Sequence, residues 1–148
     1  MNITIKHYDE LTKDELYEIL SVRVQVFVAE QKCAYCEVDY RDQSAFHIFS
    51  RDDNGKIVAY LRVVDKGMGY EDVMIGHILS LNRLQGYASR LLEEGVKVAK
   101  EKFNAERVVA EVQTYVKNIF EKQGFKKHSP IYYIDDIQYL LMCKEYDE

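Results

Sequence analysis

Arg83-Leu84-Gln85-Gly86-Tyr87-Ala88 lies between a run that reads as a β-strand and a run that reads as a helix. A glycine turn at such a junction presents several backbone N–H groups to one point. The positive end of the helix dipole aims at the same point, which suits a phosphate or pyrophosphate. The first chemistry legible in the chain is therefore the capture of a nucleotide-like or coenzyme ligand by backbone. A plain strand-to-helix turn is the bland alternative. Cys33 and Cys36 invite a different chemistry. Zinc needs four ligands, so Asp39, Asp42 and His47 would have to complete the set. A redox pair needs a helix opening after a strand, whereas here a helix precedes it. Thiols with no metal are the better reading.

The elements that must position these residues follow from periodicity. Asn2 to Tyr8 alternates as a strand, and Thr12 with Glu15 forms a capping box. Leu16, Ile19, Leu20, Val24, Phe27 and Val28 then share one face, which predicts a helix from Thr12 to Ala29. Glu30 to Ser44 is polar and irregular, long for a structureless loop. Ala45–Arg51 and Lys56–Val64 read as a hairpin around Asn54-Gly55, and Val73–Leu81 as the strand feeding the glycine turn. Ala88–Lys102 is a second helix, Arg107–Val112 a strand, and Tyr115–Gln123 a short helix stopped by Gly124. Ile131–Ile134 and Gln138–Lys144 close the chain as strands. The result is an α+β arrangement, a mixed, mostly antiparallel sheet of about seven strands flanked by helices.

Length and charge narrow the partners. A chain of 148 residues reads as one domain, residues 1–148, with no linker-like tract. Net charge −5 argues against a phosphate-backbone partner, since nucleic-acid binding rests on clustered Lys and Arg. The N-terminal residues lack the basic-then-apolar pattern of a signal peptide, and no apolar run would span a membrane. A cytoplasmic setting with reduced thiols is expected.

The element order, with a glycine turn after the fourth strand, resembles the GNAT superfamily of acyl-CoA-dependent N-acetyltransferases. Arg83, Gly86 and Ala88 fit that superfamily's pyrophosphate pattern Gln/Arg-x-x-Gly-x-Gly/Ala. Asn118-Ile119-Phe120-Glu121-Lys122-Gln123-Gly124-Phe125 resembles its later short helix ending in Gly-Phe. Arg23, Val26-Phe27-Val28, Glu30-Gln31, Cys33, Tyr35, Glu37, Asp39, Asp42, Ala45 and His47 follow the spacing of the ElaA-like branch. Three positions depart from the pattern. Phe120 stands where a tyrosine general acid is common, His77 stands where the branch pattern has arginine, and Ala34 replaces a proline.

The resemblance implies acetyl transfer from acetyl-CoA to a primary amine of a small molecule or peptide, with no metal. With the charge and hydropathy above, no nucleic-acid or membrane partner is expected, and a homodimer is the possible assembly. Arg83, Leu84, Gln85, Gly86, Tyr87, Ala88 and Ser89 would hold the pyrophosphate through main-chain amides. Leu79, Ser80 and Leu81 would lie along the pantetheine arm, with Asn118 and Phe120 beside it. A backbone N–H near Leu79 or Leu81 would polarise the acyl carbonyl. A thiol with pKa near ~8.5 leaves readily as thiolate, whereas an alkyl ammonium near ~10.4 must lose a proton before attack, so the base is the harder requirement. Candidates are His77, Glu111 and the loop residues Glu30, Glu37 and Asp39, with Tyr115 an alternative acid toward sulfur. Glu30, Gln31, Tyr35, Glu37, Asp39 and His47 would shape the acceptor pocket. The rival reading is a non-catalytic acyl-CoA-binding or interaction module of the same fold.

Overall fold

The computed structural model describes residues 2–32, 37–81 and 86–146. Its strands are β1 (Asn2–His7), β2 (Ala45–Arg51), β3 (Ile57–Val64), β4 (Val73–Ser80), β5 (Arg107–Gln113), β6 (Lys126–Lys127), β7 (Tyr132–Ile134) and β8 (Ile137–Glu145). The helices are α1 (Lys13–Arg23), α2 (Tyr87–Phe103) and α3 (Lys117–Lys122). The sheet runs β1-β2-β3-β4-β5-β8-β6, with β7 also paired to β8. Among the described residues only β4 and β5 pair in parallel. The described residues form eight strands, in keeping with the expectation of about seven, the additional one being the two-residue β6, too short to leave a periodic signal.

The expected capping box is present: Thr12 Oγ1 accepts from the Glu15 N–H, and Glu15 Oε1 accepts from the Thr12 N–H. The helix it starts does not stay α-helical to Ala29. Val24–Glu30 forms a π-helix, and the Gln31 N–H reaches back five residues to the Val26 carbonyl at 3.0 Å. Such wide turns inside helices are frequent at functional sites.

β2 and β3 are buried along nearly their whole length because both sheet faces are covered. On one face Ile48, Leu61, Val63 and Ile75 pack against Leu91, Leu92 and Ala99 of α2. There Gly95 lets the helix approach, since a Cβ would meet Leu61 Cδ1 at 3.2 Å. On the other face Ile19, Val22, Val26 and Phe27 pack against Phe49, Tyr60 and Leu79.

Two irregularities open the sheet between β4 and β5. Their parallel pairing covers only Val73–Ile75 against Val108–Ala110, and the strands part beyond it. In the same place β4 bulges. Its register against β3 slips between Tyr60 and Arg62, so His77 and Ile78 together oppose Leu61, and His77 takes a left-handed φ of 54°.

Candidate functional site

A cavity of about 400 Å³ fills the fork, in the size range of small-molecule and cofactor sites. Its walls come from both sheet faces. Gly86, Tyr87, Ala88 and Ser89 at the start of α2, with Val116 and Ile119, line one end. Val26 and Phe27 of the π-helix, with Asp39, Arg62 and Tyr70, line the other. Gly76, His77, Ile78 and Leu79 of β4 and Glu111 and Gln113 of β5 connect the two ends through the fork.

The α2 end is suited to an anion. Gly86 is the N-cap residue in a left-handed conformation (φ 68°), and no side-chain hydrogen bond caps the helix among the described residues. A Cβ at Gly86 would meet nothing within 4 Å, so the glycine serves the turn and leaves the space before the helix open. The first-turn N–H groups therefore face the cavity without an internal partner of their own helix.

The opposite end rests on a buried ion network. Arg23 and Arg62 are 0% and 2% exposed. Arg23 Nε donates to Glu37 Oε2 at 2.6 Å, and its Nη1 to Asp42 Oδ1 at 2.7 Å. Arg62 Nη1 donates to the same Asp42 oxygen at 2.7 Å and to Asp39 Oδ1 at 2.9 Å. Burial alone would raise the carboxyl pKa of Asp39, but the hydrogen bonds and charge of Arg62 hold it well below the usual range. Asp42 behaves alike, its burial outweighed by Arg23 and Arg62. The network ties α1, the loop before β2 and β3 into one rigid wall.

At the fork itself His77 Nε2 lies 3.1 Å from the Glu37 carboxylate, and the Phe27 ring meets the imidazole edge-on at 5.4 Å. Burial lowers the His77 pKa, and Glu37 only partly opposes it. Across the fork Glu111 Oε2 accepts the Tyr132 hydroxyl at 2.6 Å. Burial, then the bond to Glu111, raises the Tyr132 pKa, so the phenol stays a donor. Beside them Gln31 and Gln113 exchange amide hydrogen bonds of 3.3 and 2.8 Å, and Gln113 Nε2 also donates to the Tyr139 hydroxyl at 3.1 Å. That pair fastens the end of the π-helix to β5.

The structure gathers many of the expected residues on this cavity: His77, Glu111, Tyr115, Leu79, Ser80, Gly86, Tyr87, Ala88, Ser89, Gln31 and Asp39 all line it. Arg83, Leu84, Gln85 and Tyr35 lie outside the described residues, as do Cys33 and Cys36. Other expectations are corrected. His47 is 0% exposed and does not line the cavity; its ring accepts from Tyr60 at Nδ1 and donates to the Asp42 carbonyl at Nε2. Glu37 buttresses His77 instead of facing an acceptor, because Arg23 draws it inward. Glu30 and Asn118 are exposed and off the cavity, which Val116 and Ile119 line in Asn118's place. Phe120 is 1% exposed and packs edge-on against Phe125 in the core.

The backbone amides at Leu79 and Leu81, expected to face a bound carbonyl, point elsewhere. The Leu81 N–H is bonded to the Val58 carbonyl at 2.7 Å. Alternation along an antiparallel ladder directs the Leu79 N–H to β3 as well, and those of Ile78 and Ser80 toward the fork. Arg62, Arg41 and Gln113 were not anticipated. Arg62 left a legible signal: a lone charge in Ile57–Val64, a strand otherwise apolar throughout, demands buried partners.

Comparison with known proteins agrees with this architecture. The family model described as acetyltransferase (GNAT) domain matches residues 9–146. A UPF0039 protein of Schizosaccharomyces pombe is 34% identical over 148 residues, covering 98% of this chain and 97% of that protein. An acyl-CoA N-acyltransferase from Pseudomonas aeruginosa superposes with a TM-score of 0.87 at 32% identity, covering 97% of this chain and 99% of that one. Escherichia coli ElaA superposes with a TM-score of 0.89 at 25% identity, again over 97% and 99% of the two chains.

Proposed function

The chain is an ElaA-like acyltransferase of the GNAT family, and on that premise we propose that it transfers the acetyl group of acetyl-CoA to a primary amine of a small molecule or peptide. One observation carries the reading. The fork cavity joins an open helix N-terminus to a pair of titratable groups, His77 and Glu111, through a gap in the sheet.

In this reading the pyrophosphate sits on the amides of Gly86–Ser89, with Arg83, Leu84 and Gln85 completing the loop as the family pattern implies. The pantetheine arm runs along Leu79 and Ser80. The Ile78 N–H polarises the thioester carbonyl, because the bulge turns that amide into the fork. The acceptor enters from the Asp39 and Tyr70 end. His77 and Glu111, both in the cavity wall, are the groups that can take its proton, and the thiolate leaves toward the exposed Tyr115. Holding amine and thioester together in this fork supplies much of the rate.

The test is to incubate the protein with acetyl-CoA and a panel of amines while following free thiol. Amine-dependent thiol release is expected. Tight coenzyme binding without turnover on any amine would favour the non-catalytic acyl-CoA-binding module, the reading that the buried Phe120 supports.

A further inference from the structure

We infer that Glu37 and His77 act as a dyad: His77 Nδ1 takes the acceptor's proton, and Glu37, gripped by Arg23, is the positioning residue that fixes which ring nitrogen is basic. This rests on the acetyltransferase reading above.

His77 occupies a left-handed bulge position (φ 54°) directly after Gly76. A residue with a Cβ is disfavoured there, so the imidazole is held in a strained place that glycine would fill more easily. What holds it is specific. Phe27 abuts the ring edge-on at 5.4 Å, and Nε2 is 3.1 Å from the Glu37 carboxylate. Burial would raise the Glu37 pKa, but the hydrogen bond from His77 and the charge and hydrogen bond of Arg23 outweigh it, so Glu37 is ionised. An ionised carboxylate only accepts hydrogen bonds. Nε2 must therefore carry the proton, which leaves the lone pair of the neutral ring on Nδ1. His77 lines the cavity, and in the dyad the lone pair of Nδ1, the ring nitrogen not turned to Glu37, is the one that meets the acceptor there.

Arg23 makes the orientation rigid. Besides its 2.6 Å bond to Glu37 Oε2, its Nη2 donates to the Glu37 carbonyl at 2.9 Å, pinning side chain and backbone together. The charged groups acting on the ring are Glu37 and Asp39 of the loop before β2, Arg23 of α1 and Arg62 of β3, and Glu111 of β5 lines the same cavity. Burial and the two arginines disfavour the imidazolium, and Glu37 favours it. The ring is neutral at pH 7, the state a base requires.

The acceptor ammonium passes one proton to His77 Nδ1. The freed nitrogen lone pair forms the N–C bond at the thioester carbon, and the carbonyl π pair moves to oxygen. Collapse re-forms the carbonyl and breaks the C–S bond, with the electron pair leaving on sulfur. The second proton lost from nitrogen ends on that thiolate, and His77 returns its own to solvent.

Three measurements test the dyad. Long-range proton–nitrogen NMR of the wild type should show His77 as the Nε2–H tautomer; an Nδ1–H tautomer overturns the proposal. His77→Gly suits the left-handed backbone, so the fold persists. Its kcat should fall about 10²- to 10⁴-fold with acetyl-CoA affinity unchanged, and added imidazole should restore part of the rate. Retained turnover in this variant overturns the proposal. Glu37→Gln should lower kcat, erase the tautomer preference and move the acid limb of the rate profile to lower pH, because Glu37 supports the imidazolium. An unmoved limb, or a limb abolished by Glu111→Gln instead, overturns it too. If the wild type releases no thiol with any amine, the acetyltransferase reading falls and the base role with it. A wrong tautomer in an active enzyme defeats the dyad alone.

Discussion

Tyr132, on β7, donates its hydroxyl to Glu111 on β5 over 2.6 Å. The bond crosses β8, which pairs with both strands, and it anchors one oxygen of a carboxylate that lines the cavity. Every carboxylate of the Arg23–Arg62 network is matched by an arginine, but Glu111 enters no ion pair among the described residues. A carboxyl side chain in the cavity wall whose described partner is a phenol can take a cation as a further partner, and under the proposed function the incoming ammonium is one.

Glu111→Gln should therefore weaken the amine more than the coenzyme. The KM of the acceptor should rise by about tenfold, equivalent to ~1.4 kcal/mol, while the acetyl-CoA dissociation constant stays put. Steady-state kinetics with the amine varied at saturating acetyl-CoA reads this directly. An unchanged KM would remove Glu111 from the acceptor seat.

At the other end of the cavity, strain and charge separate in two substitutions of Gly86. Any side chain there must adopt φ 68°, at a cost of about 1–2 kcal/mol. Gly86→Ala adds only that strain, because its Cβ meets open space. Gly86→Glu adds a negative charge where the pyrophosphate is proposed to sit. Calorimetric titration with acetyl-CoA should show a modest loss for alanine and collapse of binding for glutamate, with both melting cooperatively. Equal affinities for the two variants would remove the pyrophosphate from this helix start.

His47 is a structural histidine, and its effect on stability has a definite sign. Burial pushes its pKa down from 6.5 to about 4, with Arg23 and Arg62 adding to the push and Asp42 opposing it. Between those values the unfolded chain binds a proton that the native ring refuses, so stability falls as pH falls. At one proton the slope is about 1.4 kcal/mol per pH unit, or roughly 3 kcal/mol across the window. His77, also lowered, adds in the same direction. The network carboxylates, held below their ordinary values, begin to contribute only in more acid solution. Gln at position 47 can both donate to the Asp42 carbonyl and accept from Tyr60, without titrating. Urea unfolding at pH 7, 6 and 5 should show a shallower decline for His47→Gln than for the wild type. Parallel declines would contradict the buried neutral ring.

The elements legible in the sequence were those with a long period. The α2 stripe, the β2–β3 hairpin and the strand entering Gly86 lie within a few residues of their expected bounds. What escaped depends on geometry that periodicity does not carry. The π-helix keeps the apolar stripe of an α-helix, so Val24–Glu30 looks the same in sequence either way. The bulge at His77 shifts strand parity by one, which is why Ile78, and not Leu79, turns its amide into the fork. Glu37 and His47 share residue types with groups that touch substrate, and only the buried arginines reveal them as supports.

Phe120 is where that difference has a kinetic consequence. A tyrosine placed there on family grounds would not become the missing acid. The ring is 1% exposed, packs at 84° against Phe125 with centroids 5.2 Å apart, and is absent from the cavity wall. A hydroxyl added to this site enters the apolar cluster under α2, where an unpartnered polar group costs about 1–3 kcal/mol. Phe120→Tyr should thus lower the melting temperature and leave kcat within about twofold of the wild type, since it offers sulfur no proton. Tyr115, 60% exposed at the mouth, is the group whose replacement by phenylalanine should slow turnover if thiolate protonation limits it. A Phe120→Tyr enzyme with kcat raised tenfold at unchanged stability would show that the side chain swings out to the thioester, contrary to the packing seen here.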